Sequence, residues 1–591
     1  MLPAAPSEHD QFRMLYRKFA TGIVDLELLS SRGDIGKLLG QLTAILAAFS
    51  LTVAMFFAPR FATSQIVREK LKVHAWNDVE FLISSTIVIA GLFSVLAWNA
   101  VLPDRRDCLV LGLLPLRTRT ILSAKVAAIG TSLGIAIVAT NIFTGVCYPF
   151  IVASPPGGFL AVCRAFASLW IAVAVAGLFV CCGLLAVQGI AAQLLPRSLF
   201  LRFSGLLQIA ALFLIVGMYF LEPPVPTDPG LRLSFVQTRF AWMPTFWFFG
   251  LFQAMNGSSD PAFTRFAGRA ALSFAAVVAG AALSFAMAYG LSLRRIVEQP
   301  DIAPGDRSQV SRGLTSFIAR RILTPPLTRA VLLFIARTCA RSRQHRLMLA
   351  AYGGLGLAMT LIYAKDLLYG RMRSIWDPVN FNPRSSGIAW NQVNMPMLVT
   401  SMVLLAFAII GVRAVFALPI TLPANWVFRI TAVHTSPEYF SAVRRSLYAL
   451  TALPIWIASA IFYPLVWPLA PAIEHLAVLF VIGILLIEIS LHGFRKVPFA
   501  CSYLPGKANI HVKLGIWAIL FLFVTDRGVA IEFWAMERAG RFAVFIGILL
   551  VLAIWARVRT TELASSAYNQ LQFEDLPPAA VDPLVLLREN A

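Results

Sequence analysis

Ionisable side chains inside long apolar runs are the first places to look for chemistry, because hydrocarbon tolerates them only when they are paired. Glu488 and His492 stand one turn apart in the apolar run 472–493, and Glu474 and His475 sit at its other end. A carboxylate and an imidazole at that spacing can pass a proton, or can form a structural hydrogen-bonded pair. The spacing leaves both readings open. Asp78 and Glu80 precede another apolar run. They could bind a metal or serve as a base, and equally form the solvated start of a helix. Elsewhere the search is negative. Gly33-Asp34-Ile35-Gly36-Lys37 lacks the spacing and the hydroxyl residue of a phosphate-binding loop, and no dinucleotide glycine pattern, H-E-x-x-H or G-x-S-x-G is present. The seven Cys show no metal-ligand spacing. Cys181-Cys182 lies within an apolar run, while Cys147 and Cys163 flank one expected loop as either a disulfide or two free thiols. The sequence therefore offers no catalytic, cofactor-binding or metal-binding set.

The elements that carry these residues are set by hydropathy. The chain has 591 residues, of which 58% are hydrophobic and 13% charged, with a mean hydropathy of +0.75. The apolar residues fall in blocks of about 20, long enough to cross a hydrocarbon core of roughly 30 Å. Without water, backbone N–H and C=O groups must be paired within each segment, so the blocks predict helices. No alternating ten-residue pattern suggests a β-barrel. The expected fold is all-α: a polytopic membrane helix bundle of about 12 transmembrane helices in two six-helix halves. Spans are expected at 38–58, 81–102, 121–143, 162–190, 199–221 and 268–293, then at 347–364, 394–415, 447–468, 472–493, 514–535 and 541–558. Asp526, Arg527, Glu532 and Glu537 interrupt the region between the last two.

The formal charge is +21. The basic residues gather in loops between spans, so membrane topology and anionic headgroups explain the charge better than nucleic acid does. The Arg-rich stretch from Arg294 to Arg346 places the N-terminus in the cytosol by the positive-inside rule, and the C-terminus with it. The divisions are an amphipathic N-terminal segment, 1–37; a first membrane half, 38–293; a basic cytosolic linker, 294–346; a second half, 347–558; and a cytosolic tail, 559–591. Residues 11–28 put Phe12, Leu15, Tyr16, Phe19, Ile23 and Leu26 on one helical face, suited to the inner membrane surface. The aromatic run 242–252 suits a headgroup belt. The two halves share a rhythm of spans and Leu-Pro-bearing inner loops, at 103–120 and 413–446.

The first of these loops reads Pro103-Asp104-Arg105-Arg106-Asp107, then Leu114-Pro115-Leu116-Arg117-Thr118-Arg119, with Lys125 in the following span. Here the chain resembles the type-2 ABC exporter permeases. That resemblance implies a coupling helix at this loop, seated in a cleft of a separate P-loop ATPase, with contact made by Asp104, Arg105, Arg106, Leu114, Pro115, Arg117 and Arg119. By analogy, Asn425, Trp426 and Arg429 would form a second coupling loop, and the run at 242–252 would cap an exit path. It also implies that no cofactor is held by this chain, ATP being bound by the partner, and a location in the cell inner membrane. The family has six spans, so about twelve would make this a fused pair of half-permeases. Two other classes remain: a multi-spanning glycosyltransferase, resting on Asp78 and Glu80, and an ion-coupled secondary transporter, resting on Glu488. The sequence leaves open whether two chains pair as a homodimer.

Overall fold

A computed structural model describes residues 7–22, 35–57, 65–98, 114, 116–152, 158–222, 239–298, 326–369, 391–416, 418, 437–492, 497–499, 524–525 and 527–565. Among these the chain is helical and contains no strand, and ten helices are long and apolar enough to cross a membrane. The protein is a multi-pass helical membrane protein. Two further expected spans stand apart from the ten. The span at 38–58 coincides with a helix whose apolar part, Gly40–Phe56, is shorter than the others, and the one at 514–535 lies largely outside the described residues. The chain divides between Gly305 and Asp306 into two compact units.

The first unit contains α1 (Glu8–Gly22), α2 (Ile35–Phe57), α3 (Gln65–Leu96), α4 (Thr118–Asn141), α5 (Thr144–Val152), α6 (Gly158–Leu194), α7 (Arg197–Phe220), α8 (Pro244–Met255) and α9 (Pro261–Glu298). Helix α1 opens with a reciprocal cap. The Asp10 amide donates to Ser7 Oγ at 3.2 Å, and the Ser7 hydroxyl donates to the Asp10 carboxylate at 2.6 Å. That hydroxyl bond holds the exposed Asp10 carboxyl below its ordinary pKa. The apolar face of α1 does not turn to lipid. Leu15 is buried with Ala124 of α4, flanked by Phe12, Tyr16 and Phe19, and the Tyr16 hydroxyl donates to Thr131 Oγ1 at 3.2 Å.

Helix α8 also departs from expectation. Phe246, Phe248, Phe249 and Phe252 are buried, packed on Phe179 of α6 and Phe263 and Phe266 of α9, rather than spread at a headgroup boundary. Phe179 meets Trp247 and Phe248, whereas Arg164, fifteen residues earlier on α6, meets Gly257 just past the end of α8. Fifteen residues of helix cover about 22 Å. Helix α8 therefore runs antiparallel to this part of α6 and makes a helical hairpin with α9. Gly257, at φ +93°, supplies the left-handed turn, and Asp260 caps α9 by accepting from the Ala262 amide at 2.9 Å. The hairpin is closed tightly at Gly250, where a Cβ would run into the Phe266 Cβ and the Phe263 carbonyl.

The second unit contains α10 (Pro326–Arg341), α11 (Arg343–Tyr369), α12 (Met395–Val415), α13 (Pro437–Leu447), a π-helical turn (Tyr448–Ala452), α14 (Leu453–Val466), α15 (Leu469–Leu491), α16 (527–536) and α17 (Ala539–Ser565). The π turn has a covalent cause. Pro454 has no N–H and its ring crowds the carbonyl four residues back, so the Leu453 amide reaches the Tyr448 carbonyl five residues back. The stretch expected as a basic linker is partly structural. Helix α9 runs on to Glu298, and α10 packs into the second unit, with Ile335 fully buried. Cys147 and Cys163 are both free thiols.

Gly250→Ala should destabilise the detergent-solubilised protein by about 1–3 kcal/mol through overpacking. Gly130→Ala, where a Cβ meets nothing within 4 Å, should leave its thermal midpoint unchanged. Thermal unfolding followed by size-exclusion chromatography distinguishes the two.

Candidate functional site

Two polar clusters in the second unit lie about 20 Å apart along α15, one near each end of that helix. The first is centred on His475. Its Nδ1 lies 2.7 Å from Glu532 Oε1 of α16, and its Nε2 lies 2.8 Å from Ser401 Oγ of α12. Ser401 is 3% exposed, and His475 and Glu532 are 0% exposed. The imidazole edge meets the rings of Tyr463, at 4.7 Å between centroids, and Trp467, at 5.9 Å. Tyr463 is itself fixed by donating to the Met397 carbonyl at 2.7 Å. Serine, imidazole and carboxylate stand here in the order of an acyl-transfer relay. The serine oxygen, however, is enclosed between helices with no face open to an acyl substrate. What the arrangement does is tie α12, α15 and α16 together at one buried polar point.

The second cluster is centred on Glu488. Arg444 Nε of α13 lies 3.0 Å from Glu488 Oε1, and the Thr560 hydroxyl of α17 donates to Oε2 at 2.5 Å. Glu488 is fully buried, so removing its cation would strand a charge in a low-dielectric interior. His492 takes no part. It is exposed where α15 ends, with ψ 123° carrying the chain out of the helix. The structure thus gives Glu488 two partners from other helices, and Thr560, within the expected tail, is one of them.

In the first unit, polar side chains fasten the end of α3. The last carbonyls of a helix lack intrahelical partners. Here the Gln208 amide donates to the Val95 carbonyl and the Gln188 amide to the Trp98 carbonyl, both at 2.6 Å, while the Trp98 indole donates to Ser204 Oγ at 2.9 Å. Leu116, at the far end of the intervening segment, joins the cluster around Leu15 and Phe12, and Arg117 pairs with Glu8 of α1. Lys125 is buried, with its ammonium 5.0 Å from the Phe19 ring centroid.

The residues expected at the coupling loop are only partly placed. Asp104, Arg105, Arg106 and Pro115 lie outside the described residues, as do Asn425, Trp426 and Arg429. Leu114, Arg117 and Arg119 are exposed at the start of α4. Asp78 and Glu80, offered as groups for sugar transfer, are each 5% exposed within α3 rather than open to a donor. Another feature is Phe499, in the Pro-rich segment after α15. It is buried at a left-handed φ of 63°, among Phe334, His345 and Phe416, and its amide donates to the Phe416 carbonyl at 3.0 Å. His475 was visible in the sequence as an ionisable group at a span end. Glu532 read there only as an interruption of an apolar run. Among the described residues no group of three or more His, Cys, Asp or Glu is placed to hold a metal ion.

Glu488→Gln should leave Arg444 without its charge partner and cost about 3–5 kcal/mol. Replacing both, as Glu488→Leu with Arg444→Met, should recover much of that loss in a thermal melt of the solubilised protein. No family model, curated protein or solved structure matches this chain.

Proposed function

We propose that this chain is the membrane-spanning permease subunit of an ATP-binding-cassette type exporter, driven by a separate P-loop ATPase that docks on the cytosolic loop 103–120. The observation that carries this reading is the mounting of that loop. Before it, Val95 and Trp98 at the end of α3 are held by Gln208, Gln188 and Ser204, and after its described residue Leu114, Leu116 packs with α1 and Arg117 pairs with Glu8 at the surface. Helices held in this way on either side of the loop would carry a push on it into the bundle. The resemblance of Pro103–Arg119 to exporter coupling loops supplies the partner. The same reading puts both termini in the cytosol and the bundle in the cell inner membrane.

A second reading, ion-coupled secondary transport, is favoured by one observation: buried acid–base pairs cross-link helices at both ends of α15. The two readings separate cleanly. Under the first, the chain should co-purify with a P-loop ATPase, and reversing charge as Arg105→Glu with Arg106→Glu should reduce recovery of that ATPase at least tenfold. Undiminished recovery would remove the coupling role. Transport by the chain alone under a proton gradient would establish the second.

A further inference from the structure

We propose that Ser401, His475 and Glu532 form an intramembrane proton-binding site. The argument rests on how many hydrogens the site can satisfy. Ser401 Oγ lies 2.8 Å from His475 Nε2 and 3.1 Å from the Leu398 carbonyl one turn back, and its hydroxyl has one hydrogen to give. With the imidazole neutral, Nδ1–H donates to Glu532 and Nε2 accepts from Ser401. With the imidazole protonated, Nδ1–H still donates to Glu532, Nε2–H donates to Ser401 Oγ, and the hydroxyl turns to the Leu398 carbonyl. Every hydrogen has an acceptor in both states, and no heavy atom need move between them. The protonated ring is further supported by the Glu532 carboxylate at 2.7 Å.

Among the described residues, the other charged groups on the helices that meet at this site are not buried, apart from Glu488 near the far end of α15. Helix α12 contributes Ser401 and α14 contributes Tyr463. On α15 itself the neighbouring ionisable group is Glu474, half-exposed beside His475. Besides Glu532, the charged groups on α16 and the turn after it are Arg527, Glu537 and Arg538, all exposed, and α17 adds Arg541, held over Trp534 and paired with Glu537. Glu532 Oε2, buried and without a hydrogen-bond partner among the described residues, is a further acceptor inside the site. Proton occupancy therefore bears on the contact that ties α16 to α12 and α15, three helices that meet at this one polar point. The inference does not depend on a motor ATPase, and the test is made on the chain alone, so its failure leaves the coupling proposal standing.

The test is nitrogen NMR of histidine-labelled protein in detergent micelles, titrated between about pH 5 and pH 9, where an imidazole changes charge. One histidine, absent in His475→Gln, should pass from the neutral to the imidazolium pattern on acidification. In Glu532→Gln the same change should need about tenfold more acid, and Ser401→Ala should shift the Nε2 resonance. These two near-isosteric variants identify the signal even where His475→Gln fails to fold. A His475 that keeps one protonation state across the range, or a transition unmoved by Glu532→Gln, would overturn the proposal. Covalent labelling of Ser401 by a fluorophosphonate would overturn it as well, by showing an open nucleophile.

Discussion

A polar group that enters hydrocarbon without a partner costs several kcal/mol, because no water is present to replace the lost hydrogen bond. The backbone meets this constraint by becoming helical. Side chains and helix ends must meet it between helices, and where they do so determines which helices are held together. Glu488 brings Arg444 and Thr560 to one point; His475 brings Ser401 and Glu532 to another; Asn141 donates to Thr86 at 2.9 Å across α4 and α3. Apolar contacts hold the helices without choosing between registers, since lipid tails are as apolar as leucine. The polar contacts do choose. Each is worth little on average in a membrane, about 0.6 kcal/mol. Losing one partner of a buried charge costs several times more. Their contribution is therefore to penalise alternative packings more than to stabilise the observed one.

The same constraint explains how the two units differ. In the first, glutamine amides bond carbonyls at the end of α3, glycine lets α8 lie against α9, and the buried Ser84 hydroxyl donates to the Glu222 carboxylate. In the second, ionisable pairs join α13 to α15 and α15 to α16, with hydroxyls of α12 and α17 as further partners. Elements joined by ion pairs can change contact when a proton or a neighbouring charge changes.

Much of this was legible in the sequence, for physical reasons. Apolar blocks of about 20 residues report span positions directly, since the bilayer sets their length. The helices at 121–143, 394–415 and 472–493 lie close to α4, α12 and α15. Partners across the bundle were not legible. Glu488 was evident as an ionisable group in an apolar run, but nearest-in-sequence reasoning joined it to His492, whereas its partners lie 44 and 72 positions away. Serine and threonine are too common in apolar runs to mark Ser401 or Thr560. The aromatic run at 242–252 has the composition of a boundary belt, and only tertiary contact with Phe179 and Phe263 turns it inward. Likewise the apolar face of α1 fits a membrane surface and a helix neighbour equally well; Tyr16 and Leu15 meet α4 instead.

The functional account stands on the side of the membrane that holds the segment between α3 and α4. That is best measured by placing a single cysteine at the exposed Arg119 position in a cysteine-free background and labelling it with a membrane-impermeant maleimide. The account predicts labelling in inverted inner-membrane vesicles and none in intact spheroplasts. Labelling in intact spheroplasts would put the segment outside, out of reach of any cytosolic ATPase, and would contradict it.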